Sequence, residues 1–186
     1  MLFKTIFLSA VALLASVQAD PISDFESAWS TVIKDVTNMN SQVAGYSSSQ
    51  GLLAALSIQS SYSTLYSDVK TLVSKAQAIT SVTDSQAETL IEFLSPTVGD
   101  IGTLLANLQS KASQFSAVGV QAIVSADLNS LQPQLLAVVS EIYSLVPCSE
   151  VAAATPLVTP ILASLSAANN AYNVANAKAP AAPTAC

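Results

Sequence analysis

Apolar side chains recur at alternating steps of three and four along nearly the whole chain. Only an α-helix gathers such positions on one face. The first run is Ile22, Phe25, Trp29, Val32, Val36, Met39 and Val43. Comparable stripes run from Ala55 to Ile79, from Ala87 to Phe115, from Val120 to Leu145 and, more weakly, from Leu157 to Ala175. The spacing predicts helices over about 23–43, 51–79, 84–115, 119–146 and 156–177, with an extended tail over 178–186. Ser23 is the expected N-cap of the first helix, and Thr83 with Gln86 forms a capping box for the third.

Each stripe repeats near 3.5 residues, the spacing of long helices crossing at shallow angles. With short intervening turns such as "AGYSSSQG" and "SAVG", the expectation is an all-α fold. It is a single up-and-down bundle of about five helices, forming one domain over 20–186.

"LSPTVGDIGTLL", Leu94 to Leu105, sits inside the third stripe. Pro96 removes a helix donor and clashes with the carbonyl four residues back. Gly99 and Gly102 each weaken a helix by about 1 kcal/mol. Yet Leu94, Val98 and Ile101 keep phase across the proline, which predicts one bent helix rather than two. Pro133 behaves alike between Leu131 and Leu135. Beside the stripe, Ser95, Gly99, Gly102 and Ala106 form a small face. Either a neighbouring helix approaches and fills it, or it borders an apolar slot along the bundle axis, a usual ligand site in bundles.

The ends of the chain read differently. Lys4, the apolar run from Thr5 to Val17 and Val17-Gln18-Ala19 have the form of a signal peptide cleaved after Ala19, which implies a secreted, extracellular protein. The apolar run is too short to span a membrane. Val151 to Ala177 is uncharged but interrupted by Pro156, Pro160 and four Asn, so no transmembrane segment is expected. In a secreted chain, Cys148 and Cys186 point to one disulfide, with two free thiols or a dimer link as the alternatives. The bridge requires the tail to fold back along the last helix.

Charge excludes several functions. The net charge is −6, with no His and no Arg, and loss of Lys4 on cleavage makes it −7. Nucleic acid needs clustered cations and is excluded as a partner. There is no His for a general base, no nucleophile elbow and no clustered metal ligands. The chain is therefore read as a non-enzyme with no catalytic residues, no metal and no cofactor. Glu92, beside Phe93, reads as an exposed helix residue.

Small residues are abundant and aromatics few: five Phe, five Tyr and one Trp. If the larger Leu, Phe and Tyr set helix spacing, dry voids remain, and such voids accept hydrocarbon. At about 0.8 kcal/mol per buried CH₂, an acyl chain of roughly 16 to 20 carbons can bind through apolar contact alone. The candidate ligand-binding residues are Tyr62, Leu65, Leu94, Val98, Gly102, Leu105, Leu131 and Leu135, which flank or face the bend. The same residues also suit an ordinary core.

Taken together, "DPISDFESAWSTVIKDVTNMNSQV", "YSSSQGLLAAL", "LIEFLSPTVGDIGTLLANLQSKASQF", "LVPCSEVAAATPLVTPILASL" and the terminal Cys resemble the fungal family of the hydrophobic surface-binding protein and the cell-wall galactomannoproteins. The resemblance spans essentially the whole mature chain. It implies an all-α bundle, secretion or wall association, and no catalysis. It implies lipid binding, including long-chain fatty acids inside the bundle. In other members it implies adsorption to hydrophobic surfaces with recruitment of hydrolases, or a structural role as wall mannoprotein. Several wall members carry a Ser/Thr-rich stalk and an anchor signal, whereas this sequence ends at its tail.

Overall fold

The computed structural model describes residues 20–183. The signal peptide expected over 1–19 and the Cys186 end of the expected Cys148–Cys186 bridge lie outside the described residues. Among these there are seven α-helices and two short 3-10 turns, and no strand. The helices are α1 (Pro21–Gly45), α2 (Gly51–Gln77), α3 (Asp84–Leu94), α4 (Val98–Ser110), α5 (Ala112–Ala117), α6 (Gln121–Leu145) and α7 (Val151–Ala171).

The count exceeds the expected five because the third predicted helix is three. Residues 95–97 form a turn, with Thr97 N–H donating to the Leu94 carbonyl at 3.1 Å. Lys111 then separates α4 from α5. The phase of the stripe survives, since Leu94, Val98 and Ile101 are all buried, but the helix does not. Pro96 has no N–H to continue the ladder, and a three-residue turn interrupts the helix there.

Boundaries also move at α1 and α7. α1 is capped three residues before the expected Ser23, because Asp20 accepts the Ile22 N–H at 3.1 Å and Pro21 takes the first turn, where proline fits. α7 starts at Val151 and ends at Ala171, both earlier than expected. Its Pro156 and Pro160 are exposed and are carried inside the helix. The Thr83–Gln86 capping box forms as expected.

Five helices close a ring: α1 packs on α2, α2 on α6, α6 on α7, α7 on α4, and α4 on α1. Polar pairs between helices fix their directions. Asp24–Lys75 and Gln42–Ser61 make α1 and α2 antiparallel. Trp29–Thr97 and Asn40–Asn107 make α1 and α4 parallel. Gln59–Asp127 and Gln77–Glu141 do the same for α2 and α6. The chain alternates up and down, but only α1–α2 and α6–α7 are neighbours in both sequence and ring, whereas α2–α6, α4–α7 and α1–α4 are not, which corrects the simple up-and-down picture. The short helices make the crossings. α3 contacts the start of α7 at one end, and α5 joins α4 to α6 at the other.

The main core is an apolar cluster running from Phe25 at the α3 end to Phe115, Val120 and Tyr172 at the α5 end, with a small second cluster of Val139, Tyr143 and Val158 between α6 and α7. The tail after α7 turns back along the α6–α7 groove. The Gln132 side chain donates to the Ala175 carbonyl and accepts the Ala177 N–H, and Ala182 packs on the cluster of Val139, Tyr143 and Val158. Cys148–Ala171 is long and apolar enough to cross a membrane. In the bundle its Ala154, Val158, Ile161, Leu165 and Ala168 face inward at helical spacing.

Candidate functional site

Three small voids lie in series inside the ring. The first, about 40 Å³, sits at the α5 end between α2, α4 and α6. The second, about 30 Å³, lies at mid-height beneath Trp29, Leu94 and Val98. The third, about 30 Å³, lies under α3. Leu94, Ile142 and Leu157 line both the second and the third. Leu105 and Leu131 of the first void stand about one helical turn from Ile101 and Leu135 of the second. Side chains a single turn deep therefore divide what is otherwise one apolar passage along the bundle axis.

The candidate residues divide between these voids. Tyr62, Leu65, Leu105 and Leu131 line the first. Leu94, Val98 and Leu135 line the second. Gly102 lines none of them. A Cβ there would meet Ser164 Oγ of α7 at 3.5 Å. Its neighbours on the small face, Ser95, Gly99 and Ala106, are exposed. The small face thus lies at the α4–α7 contact and in solvent, so the sequence argument for a slot beside it fails. The voids arise on the adjacent, large-residue face. Glu92 is exposed.

Polarity is confined to one end. Among the linings of the three voids, carboxyl, amide and hydroxyl groups occur only at the first: Asp127, Gln59 and Tyr62. Gln59 Nε2 donates to Asp127 Oδ1 at 3.0 Å, and the Tyr62 hydroxyl donates to the Asp127 carbonyl at 2.8 Å. Burial raises the Asp127 carboxyl above its ordinary value, against the opposing pull of the Gln59 hydrogen bond. Burial also pushes the Tyr62 hydroxyl up, with the nearby Asp127 charge adding to it, so Tyr62 stays a neutral donor.

Sequence reasoning missed Asp127 and Gln59. Their spacing shows nothing, because one sits on α6 and the other on α2. It also missed Trp29 as a lining residue. Trp29 Nε1 donates to Thr97 Oγ1 at 2.8 Å, so the turn after Pro96 holds the ring over the second void. The described residues contain no cluster of three or more His, Cys, Asp or Glu able to hold a metal.

The volumes are instructive. Sites for small organic ligands run roughly 300–1,000 Å³, several times any void here. A bound acyl chain would have to displace the side chains that separate the voids, so what is described is a closed state.

The profile of the family described as hydrophobic surface binding protein A matches residues 22–137. Among solved structures, the fold is similar to that of AFMP4P in complex with palmitic acid. The identity is 22%, the TM-score 0.74, and the match covers 81% of this chain and 99% of that one. It is also similar to ligand binding domain 1 of the Penicillium marneffei MP1 protein complexed with arachidonic acids, at 14% identity and TM-score 0.74 over 82% and 99% of the two chains. Domain 2 of that protein, complexed with multiple arachidonic acids, matches at 18% identity and TM-score 0.73 over 84% and 97%. No curated protein matches the sequence.

Proposed function

The chain belongs to the hydrophobic surface binding protein A family, and from that premise we propose that it binds a long-chain fatty acid or similar apolar ligand inside the helical ring. The observation that carries the reading is the serial arrangement of three apolar voids with polar groups at one end only. That is the polarity pattern of an amphiphile with a chain and one head. The acyl chain runs along the axis past Leu105, Leu135 and Leu94. The head lies near Gln59, whose amide has a second hydrogen beyond the one given to Asp127, and near the Tyr62 hydroxyl oxygen. With no Arg or His in the chain, affinity comes from chain burial at about 0.8 kcal/mol per CH₂. Solved bundles of this fold hold palmitic and arachidonic acids, in keeping with this reading.

The reading extends to a secreted, non-catalytic protein, exported by residues 1–19 and associated with the outside of the cell or its wall. The course of the tail supports a Cys148–Cys186 bridge: by Ala182 it has reached Val158 and Tyr143, heading for the start of α7. Native mass spectrometry before and after delipidation tests the binding claim. One fatty acid per chain, lost on extraction and restored on addition, is the expected result. A mass that stays bare with added palmitate or arachidonate refutes it.

A further inference from the structure

Four large apolar side chains stand out into solvent among the described residues: Leu53 at 82% exposure, Leu52 at 51%, Leu56 at 43% and Ile123 at 38%. All four lie within the first two turns of α2 and α6, at the α5 end of the ring. Leu56 and Ile123 also line the first void. One patch is therefore continuous from bulk solvent to the one of these three voids that is lined by Asp127, Gln59 and Tyr62. The surroundings lack charge. No Asp, Glu or Lys occurs from 36 to 67 or from 112 to 126. The two flanking ionisable groups are engaged, Lys111 by the Tyr46 carbonyl at 2.7 Å and Asp127 by Gln59.

From this continuity we propose that the Leu52–Leu53–Leu56–Ile123 end docks on an uncharged lipid surface, and that the ligand passes directly from that surface between Leu56 and Ile123 into the first void. The proposal rests on the acyl-chain reading of the core and adds its door and its donor. A patch of this kind in a −6 chain suits a zwitterionic bilayer. It offers neither the cations that anionic lipid headgroups attract nor charge to keep it hydrated. Leu52 and Leu53 reach no void, so they serve docking alone, whereas Leu56 and Ile123 belong to docking and entry together.

Two measurements on the full chain test this with the Leu52→Ser/Leu53→Ser double variant. In flotation with phosphatidylcholine vesicles, without fatty acid, the native protein is expected to float and the variant to stay at the bottom. In stopped-flow transfer of a fluorescent fatty acid from the same vesicles, the native rate should rise in proportion to vesicle concentration. The variant should transfer at least tenfold more slowly, yet keep its affinity for fatty acid supplied from solution. The proposal is overturned if the two proteins float alike, if transfer is independent of vesicle concentration, or if sedimentation shows that Leu52 and Leu53 bury a dimer contact. Loss of solution affinity in both proteins, with flotation as expected, would instead overturn the reading of the core and leave docking standing.

Discussion

The Trp29 indole donates to Thr97 Oγ1 at 2.8 Å, and the Thr97 hydroxyl donates onward to the Leu94 carbonyl at 3.0 Å. One threonine therefore connects α1 to the turn that ends α3. Both Trp29 and Leu94 line the second void. Thr97→Val keeps the shape but orphans the indole N–H. A buried donor left unpaired costs about 1–3 kcal/mol. A stability loss of that size is expected in denaturant unfolding, with Thr97→Ser recovering most of it.

Trp29 is the sole tryptophan and is 3% exposed. Its fluorescence therefore reports on the core without labelling. Adding palmitate to delipidated protein should shift or quench the emission saturably, at one equivalent. In Leu135→Trp, which crowds the second void with a larger side chain, ligand affinity should fall at least tenfold while the far-ultraviolet helical signal stays unchanged. Unaltered affinity in a folded Leu135→Trp protein would place the chain elsewhere.

Gly99 and Gly102 differ in what they face. A Cβ at Gly99 meets nothing within 4 Å, and one at Gly102 meets only Ser164 Oγ at 3.5 Å. Both glycines sit in α4 with ordinary helical backbone. Gly99→Ala is expected to stabilise by up to about 1 kcal/mol, and Gly102→Ala by a similar or smaller amount. Gly102→Leu drives a side chain into the α4–α7 contact and should lower the melting temperature. Thermal unfolding of the three variants checks the order.

Burial, with the hydrogen bond and charge of neighbouring Asp68, pushes Asp35 up to about 6, and Lys34 opposes this. The folded state thus holds a proton between pH 4 and 6 that the unfolded chain has released. Stability from this group is present at low pH and is lost as pH rises through about 6. Melting temperature should fall over that window. Asp35→Asn should flatten the profile. A profile that is already flat in the native protein would contradict the raised Asp35 carboxyl.

Asp127 also holds its proton above the usual carboxylate range, but it stands at the proposed head-group end. Once ionised it opposes a ligand carboxylate. Asp127→Asn keeps the acceptor for Gln59 and removes the charge. Affinity for ionised palmitate is expected to improve by roughly fivefold, about 1 kcal/mol. The difference from the native protein should shrink as pH is lowered toward the carboxylate range. Calorimetric titration at several pH values reads this directly.

The helical stripes were legible because burial in a bundle repeats every turn. The phase through Leu94, Val98 and Ile101 was right even though the helix ends at Leu94. Periodicity reports which face is buried, not whether the axis is continuous. A proline within a conserved phase fits both a bend and a short turn. The ring order α1–α2–α6–α7–α4 was not legible, since it depends on where α3 and α5 carry the chain across the ends. For the same reason the site was only partly visible. Tyr62, Leu65, Leu105 and Leu131 converge with their own stripes, while Gln59 and Asp127 meet across two helices that are remote in sequence. The glycine face left two readings open because small residues mark close approach or exposure as readily as open space.

The voids that separate the apolar side chains also set the protein's response to hydrostatic pressure. Empty space in the folded state vanishes when water floods the unfolded chain, so unfolding shrinks the system. Three pockets of about 30 to 40 Å³ contribute to that shrinkage. A hydrocarbon chain that occupied them would lessen it, so the bound protein should resist pressure better than the empty one.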